Sequence, residues 1–307
     1  VEPKVSICIP TYNQVDKLEI LLDSIRIQTF RDFEVIVSDD SSTDDVKLLV
    51  NHYGDLQIRY FRNSPAKGSP ENWNHAISLA KGDWIKIMHH DDYFVYPDSL
   101  NEFVKHGEGA NLGIDFVFSA TLLSYSDSEI KNKYLINQNL LKNLNKQPAL
   151  LFERNLIGSP SVCMYKRNLN ISFDKSLIWL VDIEFYSRVI LKHSILYIDK
   201  TLVSTIISTE QLSERMRNNP DYELYELFYC FNKLSGKLDR LNKKIFKQRI
   251  LYFIKFFNIE SSAQLLKHTK EQKVPSFLSL YFLMRRINPK IAFSIFYRLN
   301  KYRPIEN

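Results

Sequence analysis

The sequence predicts an α/β protein, with a mostly parallel sheet flanked by helices and a helical C-terminal extension. Three observations carry this expectation. Short apolar runs alternate with amphipathic helical stretches along the N-terminal part of the chain. Those runs are apolar at consecutive positions, as in strands covered on both faces. Beyond Pro220 the strand signals stop and the pattern turns helical.

The elements follow in order. Residues 5–10 read as a first strand, and Thr11-Tyr12-Asn13 as the loop after it. A helix is expected over residues 15–27, where Val15, Leu18, Leu21, Leu22 and Ile25 share one face. Residues 33–38 form a second strand, and Thr43 is placed to cap a helix carrying Val46, Leu49 and Val50. A third strand spans 57–61, a third helix 72–80 and a fourth strand 84–88, with Pro97 at the start of a further helix. This rhythm implies right-handed crossovers. From Ile114 it loosens. Strands are expected at 115–120, 161–165 and 195–198, and a helix at 182–191, whereas the polar, Asn- and Lys-rich stretch 127–147 reads as a long loop or irregular helix. The domain expectation is one domain over 1–215, in halves of about 1–110 and 111–215, and a basic helical region over 216–307.

Composition sets the bounds. A chain of 307 residues, 45% hydrophobic and 25% charged, has material for a real core, which excludes general disorder. Cys8, Cys163 and Cys230 are odd in number, far apart and at no metal-ligand spacing, so they read as buried thiols in a reducing compartment. No segment offers the ~20 apolar residues of a membrane span, and an apolar strand begins almost at once. The expectation is a cytoplasmic protein, peripheral at most on the inner face of the membrane. The net charge of +6 is uneven, with acids in the first part and Lys and Arg concentrated from Lys237 to Arg303. That asymmetry favours an anionic partner for the tail. No nucleic-acid module accompanies it, so nucleic acid is not expected.

Ligands of an open parallel sheet bind beyond the carboxyl ends of its strands. Pro10, Thr11, Tyr12 and Asn13 follow the first strand, Asp39 and Asp40 the second, and His89, His90, Asp91 and Asp92 the fourth. Two acid pairs therefore converge on one rim. Crowded carboxylates repel unless a cation or hydrogen-bond donors compensate. Oxygen ligands suit Mg²⁺ or Mn²⁺ shared with substrate phosphates. The competing reading of each pair is a helix cap or solvated turn. Neither a Gly-x-Gly-x-x-Gly nor a Gly-rich Lys-Ser/Thr loop is present, which disfavours dinucleotide and P-loop sites.

Taken together, Val5-Ser6-Ile7-Cys8-Ile9-Pro10-Thr11-Tyr12-Asn13 and Phe33-Glu34-Val35-Ile36-Val37-Ser38-Asp39-Asp40-Ser41-Ser42-Thr43-Asp44 resemble the opening of family 2 glycosyltransferases of GT-A fold. Asn72, Asn74, Ala80-Lys81-Gly82-Asp83-Trp84-Ile85, Met88-His89-His90-Asp91-Asp92 and Pro97-Asp98 continue the resemblance. It implies a Rossmann-like GT-A domain whose N-terminal half takes a nucleotide sugar and whose second half takes the acceptor. The activity it implies is inverting transfer of a hexose from a UDP-sugar to a hydroxyl of a glycan or lipid-linked glycan, in bacterial surface-polysaccharide or glycoconjugate assembly.

Residue by residue, Pro10, Thr11, Tyr12, Asn13, Asp39, Lys67 and Asn72 would line the nucleotide. Asp91 and Asp92 match the end of the family's Asp-x-Asp motif, Asp91 for the ribose and Asp92 for Mn²⁺ or Mg²⁺, with His90 beside them. His89 stands where that motif usually has its first acid. Trp179-Leu180-Val181-Asp182-Ile183-Glu184-Phe185 resembles the motif that carries the general base, which falls on Asp182, with Trp179 and Glu184 as secondary residues on the acceptor side. Val181 replaces the usual Glu. The loop His of the family is missing from Ser208-Thr209-Glu210-Gln211-Leu212-Ser213, although Gln211 and Ser213 fit.

The tail segment 241–257 pairs a broad apolar arc with a basic one. It reads either as an interfacial helix on anionic lipid or as a helical subdomain with solvated charges. Two rival functions stand beside glycosyl transfer. One is a nucleotidyltransferase, which would show a basic Gly-rich loop after the first strand. The other is a non-catalytic nucleotide- or sugar-binding domain with a membrane-surface tail.

Overall fold

The computed structural model describes residues 2–109, 113–125, 131–207 and 216–300. Strand β1, Val5–Thr11, is buried along its whole length and lies between β2 (Phe33–Asp39) and β4 (Trp84–Ile87), parallel to both. β3, Arg59–Arg62, extends the parallel set from the far side of β2. Helix α1 (Val15–Arg26) joins β1 to β2 and buries Leu18, Leu21, Leu22 and Ile25, the face expected from the spacing. Each such side chain stabilises the fold by roughly 1.5–3 kcal/mol relative to exposure. Helices α2 (Asp45–Asn51), α3 (Glu71–Ser78) and α4 (Ser99–Gly107) complete the alternation. α3 packs on β1, β2 and β4.

The sheet continues past β4 through antiparallel neighbours. Its order is β3-β2-β1-β4-β8-β6-β9-β5, where β5 is Asp92–Phe94, β6 Phe116–Tyr125, β8 Cys163–Lys166 and β9 Ile195–Ile207; β7 (Lys131–Tyr134) pairs with β6. β6 and β9 run parallel, whereas β4–β8, β8–β6 and β9–β5 are antiparallel. The α/β expectation of a mostly parallel sheet flanked by helices is met, with a parallel N-terminal half. All three cysteines are buried.

Several local expectations are corrected. Asp44, not Thr43, precedes α2 as its cap residue, and the Thr43 hydroxyl instead donates to Asp45 at 2.7 Å. α4 begins after Asp98, two residues beyond Pro97. The stretch read as irregular contains β7 and helix α5 (Gln138–Lys146), whose N–H at Leu140 is capped by Asn137 at 2.8 Å. A short 3₁₀ turn, Pro160–Val162, takes up the start of the strand expected at 161–165.

The chain divides into two compact units. One holds residues 1–136, 157–176 and 188–209 and contains the sheet. The other gathers 137–156 and 177–187, which the sequence reading put with the N-terminal domain, together with 210–307. In this second unit helix α6 (Val181–Ile190) begins, and α7 (Pro220–Leu234), α8 (Arg240–Phe256), α9 (Ser262–His268), α10 (Ser276–Ile287) and α11 (Pro289–Leu299) follow. The apolar arc of α8 is core: Ile245, Phe246, Ile250, Leu251, Phe253 and Ile254 are buried, and Phe246 meets Phe152 with ring centroids 4.1 Å apart. Among the described residues no helix is long and apolar enough to cross a membrane.

Gly82 shows why one part of the quoted pattern must be glycine. A Cβ there would lie 2.7 Å from the backbone of Val5 and Ser6, so the turn into β4 could not close on β1. Gly82→Ala is therefore expected to destabilise the protein by about 1–3 kcal/mol, read as a lower urea midpoint at unchanged slope.

Candidate functional site

From β1 the chain steps outward to β2 and β3, then returns to the opposite side of β1 as β4. The topological switch point thus lies between β1 and β4, where an open parallel sheet offers its crevice. The loops that end β1 and β2 are laced together there. Asn13, in the left-handed region at φ 51°, donates its N–H to Ser41 Oγ at 2.8 Å and accepts the Ser42 N–H at 3.2 Å. The Thr11 carbonyl accepts the Asp40 N–H at 3.0 Å and the Asn72 side-chain amide at 3.3 Å. Asp39 is fully buried and accepts the Ser41 N–H at 2.8 Å and the Tyr60 hydroxyl at 2.7 Å. Two groups at this rim point to a ligand. The buried Thr11 hydroxyl has no hydrogen-bond partner among the described residues, and Tyr12 is 57% exposed.

The expectation that both acid pairs meet at a cation needs correction. Asp40 accepts from Asn63 Nδ2 at 2.8 Å, Lys67 N–H at 3.0 Å and Gly68 N–H at 2.7 Å. Three donors satisfy its charge, so it anchors the loop that carries exposed Lys67 instead of binding metal. Asn72 is likewise a strut, since its amide oxygen accepts from Asn63 at 3.1 Å.

The second acid pair behaves differently. Ligand atoms of His89, Asp91 and Asp92 all lie within 4.8 Å of one another, just past the end of β4. Asp92 opens β5 and is buried, accepting from Ser159 Oγ at 3.2 Å and the Ile206 N–H at 3.3 Å. Burial, then the neighbouring Asp91 charge, pushes its carboxyl up to about 8. Burial also drives His89 down to about 4, which keeps its imidazole neutral, and its Nε2 has no hydrogen-bond partner among the described residues. A neutral imidazole with an unsatisfied nitrogen beside two crowded carboxyls is the donor set of a divalent cation, and N with O ligands suits Mn²⁺ as well as Mg²⁺. The residue that departs from the Asp-x-Asp pattern is thus a member of the cluster. His90 stands outside it, its Nδ1 3.4 Å from the Pro10 carbonyl oxygen, and burial lowers its pKa.

Below the cluster sits a group the sequence reading missed. Lys86 in β4 is fully buried, and its ammonium donates to the Ser161 carbonyl and lies 4.6 Å from the Phe103 ring and 5.4 Å from that of Phe94. Burial pulls it down to about 7. The Ser161 hydroxyl accepts the His89 N–H at 2.9 Å and also serves Asp92. A lysine inside the apolar run Trp84-Ile85-Lys86-Ile87 was the available signal.

In the helical unit, Asp182 lies in the first turn of α6, half-buried. It accepts from Asn155 Nδ2 and from the Ile183 N–H, both at 2.8 Å, and burial raises its carboxyl to about 6. Such a group is ionised at neutral pH yet more basic than an ordinary aspartate. Glu184 is fully buried and ion-paired with Lys233 at 2.8 Å, a setting that serves packing and not an acceptor. Half-buried Trp179 meets Phe253 edge-on at 6.2 Å. The entry into α6 is held by buried Glu226, which accepts the N–H groups of Ile178, Trp179 and Leu180 at 2.7–2.9 Å. No local signal marks Glu226, because its targets lie far back along the chain. Gln211 and Ser213 fall outside the described residues.

Comparisons with known proteins bear on this geometry. The family described as glycosyl transferase family 2 matches residues 6–172. An uncharacterized protein of Mycobacterium tuberculosis, MT1568, is 28% identical over 214 residues, 66% of each chain. The GalNAc(5)-diNAcBac-PP-undecaprenol beta-1,3-glucosyltransferase of Campylobacter jejuni is 40% identical over 93 residues, 29% of this chain and 30% of that one. The chain thus spans about two thirds of the first relative and less than a third of the second. In fold, it is similar to S. aureus TarS 1-349, solved in complex with UDP-GlcNAc, with a TM-score of 0.66 and 18% identity, covering 97% of this chain and 90% of that one. The expected GT-A type α/β architecture is met.

The cluster geometry carries a direct test. Mn²⁺ binding, followed by electron paramagnetic resonance, is expected for the wild type and weakened by about tenfold or more in Asp92→Asn or His89→Ala. Asp40→Asn is expected to leave it unchanged.

Proposed function

The chain belongs to glycosyl transferase family 2, and from that premise we propose that it moves a hexose from a UDP-sugar to a hydroxyl of a lipid-linked glycan, with inversion. The observation that carries the proposal is the His89, Asp91 and Asp92 cluster beside the switch point of the sheet. The fold neighbour solved with UDP-GlcNAc supports a uridine nucleotide, and the Campylobacter relative, named for an undecaprenol-linked substrate, supports the acceptor class. Such an acceptor would be met on the inner face of a bacterial membrane, in surface-glycan assembly.

The residues take the following roles in this reading. Pro10, Thr11, Tyr12 and Asn13 form the rim on which the nucleotide lies, and Lys67 reaches base or phosphate from its loop. Asp39 holds an N–H of the base with lone pairs left over from its two protein donors. Asp91 holds the ribose. Asp92, with His89 at hand, would hold the divalent cation, which would supply positive charge to stabilise the departing diphosphate. The acceptor hydroxyl is a poor nucleophile until a carboxylate takes its proton, and Asp182 is that base. Attack on the face opposite the leaving group inverts the anomeric centre.

Two outcomes test this. Calorimetric titration of UDP is expected to show binding that requires Mn²⁺ and is lost in Asp92→Asn; metal-independent binding of equal strength in both proteins would falsify the donor assignment. For the base, activity should fall about tenfold per pH unit below pH 6, because the catalytic form is the ionised one. Asp182→Asn should lower kcat by about 10²–10⁴ with little change in donor KM. A carboxyl raised in the folded state contributes stability at low pH that is lost as pH rises through about 6. Asp182→Asn is therefore expected to keep or raise Tm at neutral pH.

A further inference from the structure

A cavity of about 420 Å³ opens on the helical unit, lined by Arg240, Lys243, Lys244, Lys247 and Asn300. The four cations fall at i, i+3, i+4 and i+7 of α8, so they share one face. The rotation of that helix is fixed from the other side. Buried Asn242 accepts the Ala149 N–H at 3.0 Å and donates to the Lys146 carbonyl at 3.3 Å, while Gln248 donates to the Tyr297 hydroxyl of α11 at 2.9 Å. The basic face and the end of α11 that supplies Asn300 are thus held together as the walls of one cavity.

Among the described residues nothing explains this concentration of charge. Among the described residues no carboxylate pairs with any of the four cations; Lys247 lies over the Phe277 ring at 5.1 Å. Asp239, the residue before Arg240, is engaged on the α8 N-terminus, where it accepts the Asn242 N–H at 2.7 Å. Arg240 is the first residue of α8, and no acid stands in the first turn. Asp239 caps that N-terminus, which leaves the mutual repulsion of the four cations along one face of α8. A multivalent anion offsets it.

We propose that this cavity is a binding site for a phosphomonoester or diphosphate group. Arg and Lys donors at several points around a cavity suit the three or more oxygens of such a group. Its source is either a lipid headgroup or a soluble phosphate. Leu299 adjoins Asn300 and is 64% exposed, and Ile291 and Ile295 precede it on α11, also exposed, which brings aliphatic surface to the cavity's edge. This site is independent of the donor rim and of the function proposed above.

The test uses pyrophosphate in EDTA, titrated calorimetrically into the full chain, and vesicles of phosphatidate in phosphatidylcholine, read by co-sedimentation. Pyrophosphate binding is expected in the wild type, weakened by rising salt. It should fall at least about tenfold in Lys243→Glu/Lys247→Glu and persist in Lys243→Arg/Lys247→Arg. Asp92→Asn should bind pyrophosphate as the wild type does, which separates this site from the donor rim. Phosphatidate-dependent sedimentation lost in the Glu variant assigns a lipid source, and pyrophosphate binding with indifference to vesicles assigns a soluble one. Binding of UDP with Mn²⁺ should be unchanged in the Glu variant, so the loss of either activity is legible without the other. No binding in either arm, or binding that the Glu variant leaves unchanged, overturns the proposal.

Discussion

The candidate donor site depends on keeping one carboxyl, that of Asp92, buried beside a second carboxyl. Buried charge is costly unless it is paired, and two acids side by side make it more so. The surrounding residues answer this cost in layers. Ser159 and the Ile206 N–H reach Asp92 directly, and Ser161 joins it to the His89 backbone. Lys86 holds Ser161 from beneath while its own ammonium is weakened by burial. The unsatisfied His89 nitrogen lies beside the two carboxyls. A nitrogen lone pair and two carboxyls so placed form the ligand set that a divalent cation would complete.

The contrast with Asp40 shows how local structure decides what an acid does. Both Asp40 and Asp92 are the second member of an Asp-Asp pair following a parallel strand. Asp40 meets a loop whose N–H groups at Lys67 and Gly68 turn toward it, and it is satisfied. Asp92 enters an antiparallel strand whose backbone N–H groups are mostly committed to pairing with β9, and it meets one distant N–H and the hydroxyls of Ser159 and Ser161. Sequence shows the two pairs as equivalent. Only the partner strand distinguishes them, and β9 lies a hundred residues and more downstream.

That difference in reach explains what was legible. The apolar runs of β1, β2 and β4 and the spacing in α1 are local signals, and each element fell close to its expected place. Missed features depend on partners remote in sequence. Residues 127–147 read as a long loop or irregular helix because α5 is polar on most of its surface and packs on the 3₁₀ turn Pro148–Phe152, which in turn packs on α8. Glu226 is invisible for the same reason. Lys86 is an exception, since a charge inside an apolar strand was there to be read, and a lysine is almost never fully buried unless it is paired. His89 was read as a lost acid because a motif compares letters, whereas the cluster requires only a lone pair at the right place.

The tail follows the same logic with the opposite result. On α8 a broad apolar arc beside basic residues fits both a membrane-surface helix and a core helix, and amphipathicity alone cannot separate them. Packing does. The arc of α8 closes on Phe152 and the interior of its own unit, so its basic face is left with the solvent and the cavity. Exposed aliphatic side chains are displaced to α10 and α11, where Leu280, Leu283, Ile287, Ile291, Ile295 and Leu299 lie outward and only Leu278, Tyr281, Phe282, Ala292 and Phe296 are buried. Most of the exposed aliphatic surface thus lies on α10 and α11, whereas the basic face that lines the cavity belongs to α8. A phosphate can be gripped by a fixed cavity in this arrangement without drawing the core helix that forms it out of its packing.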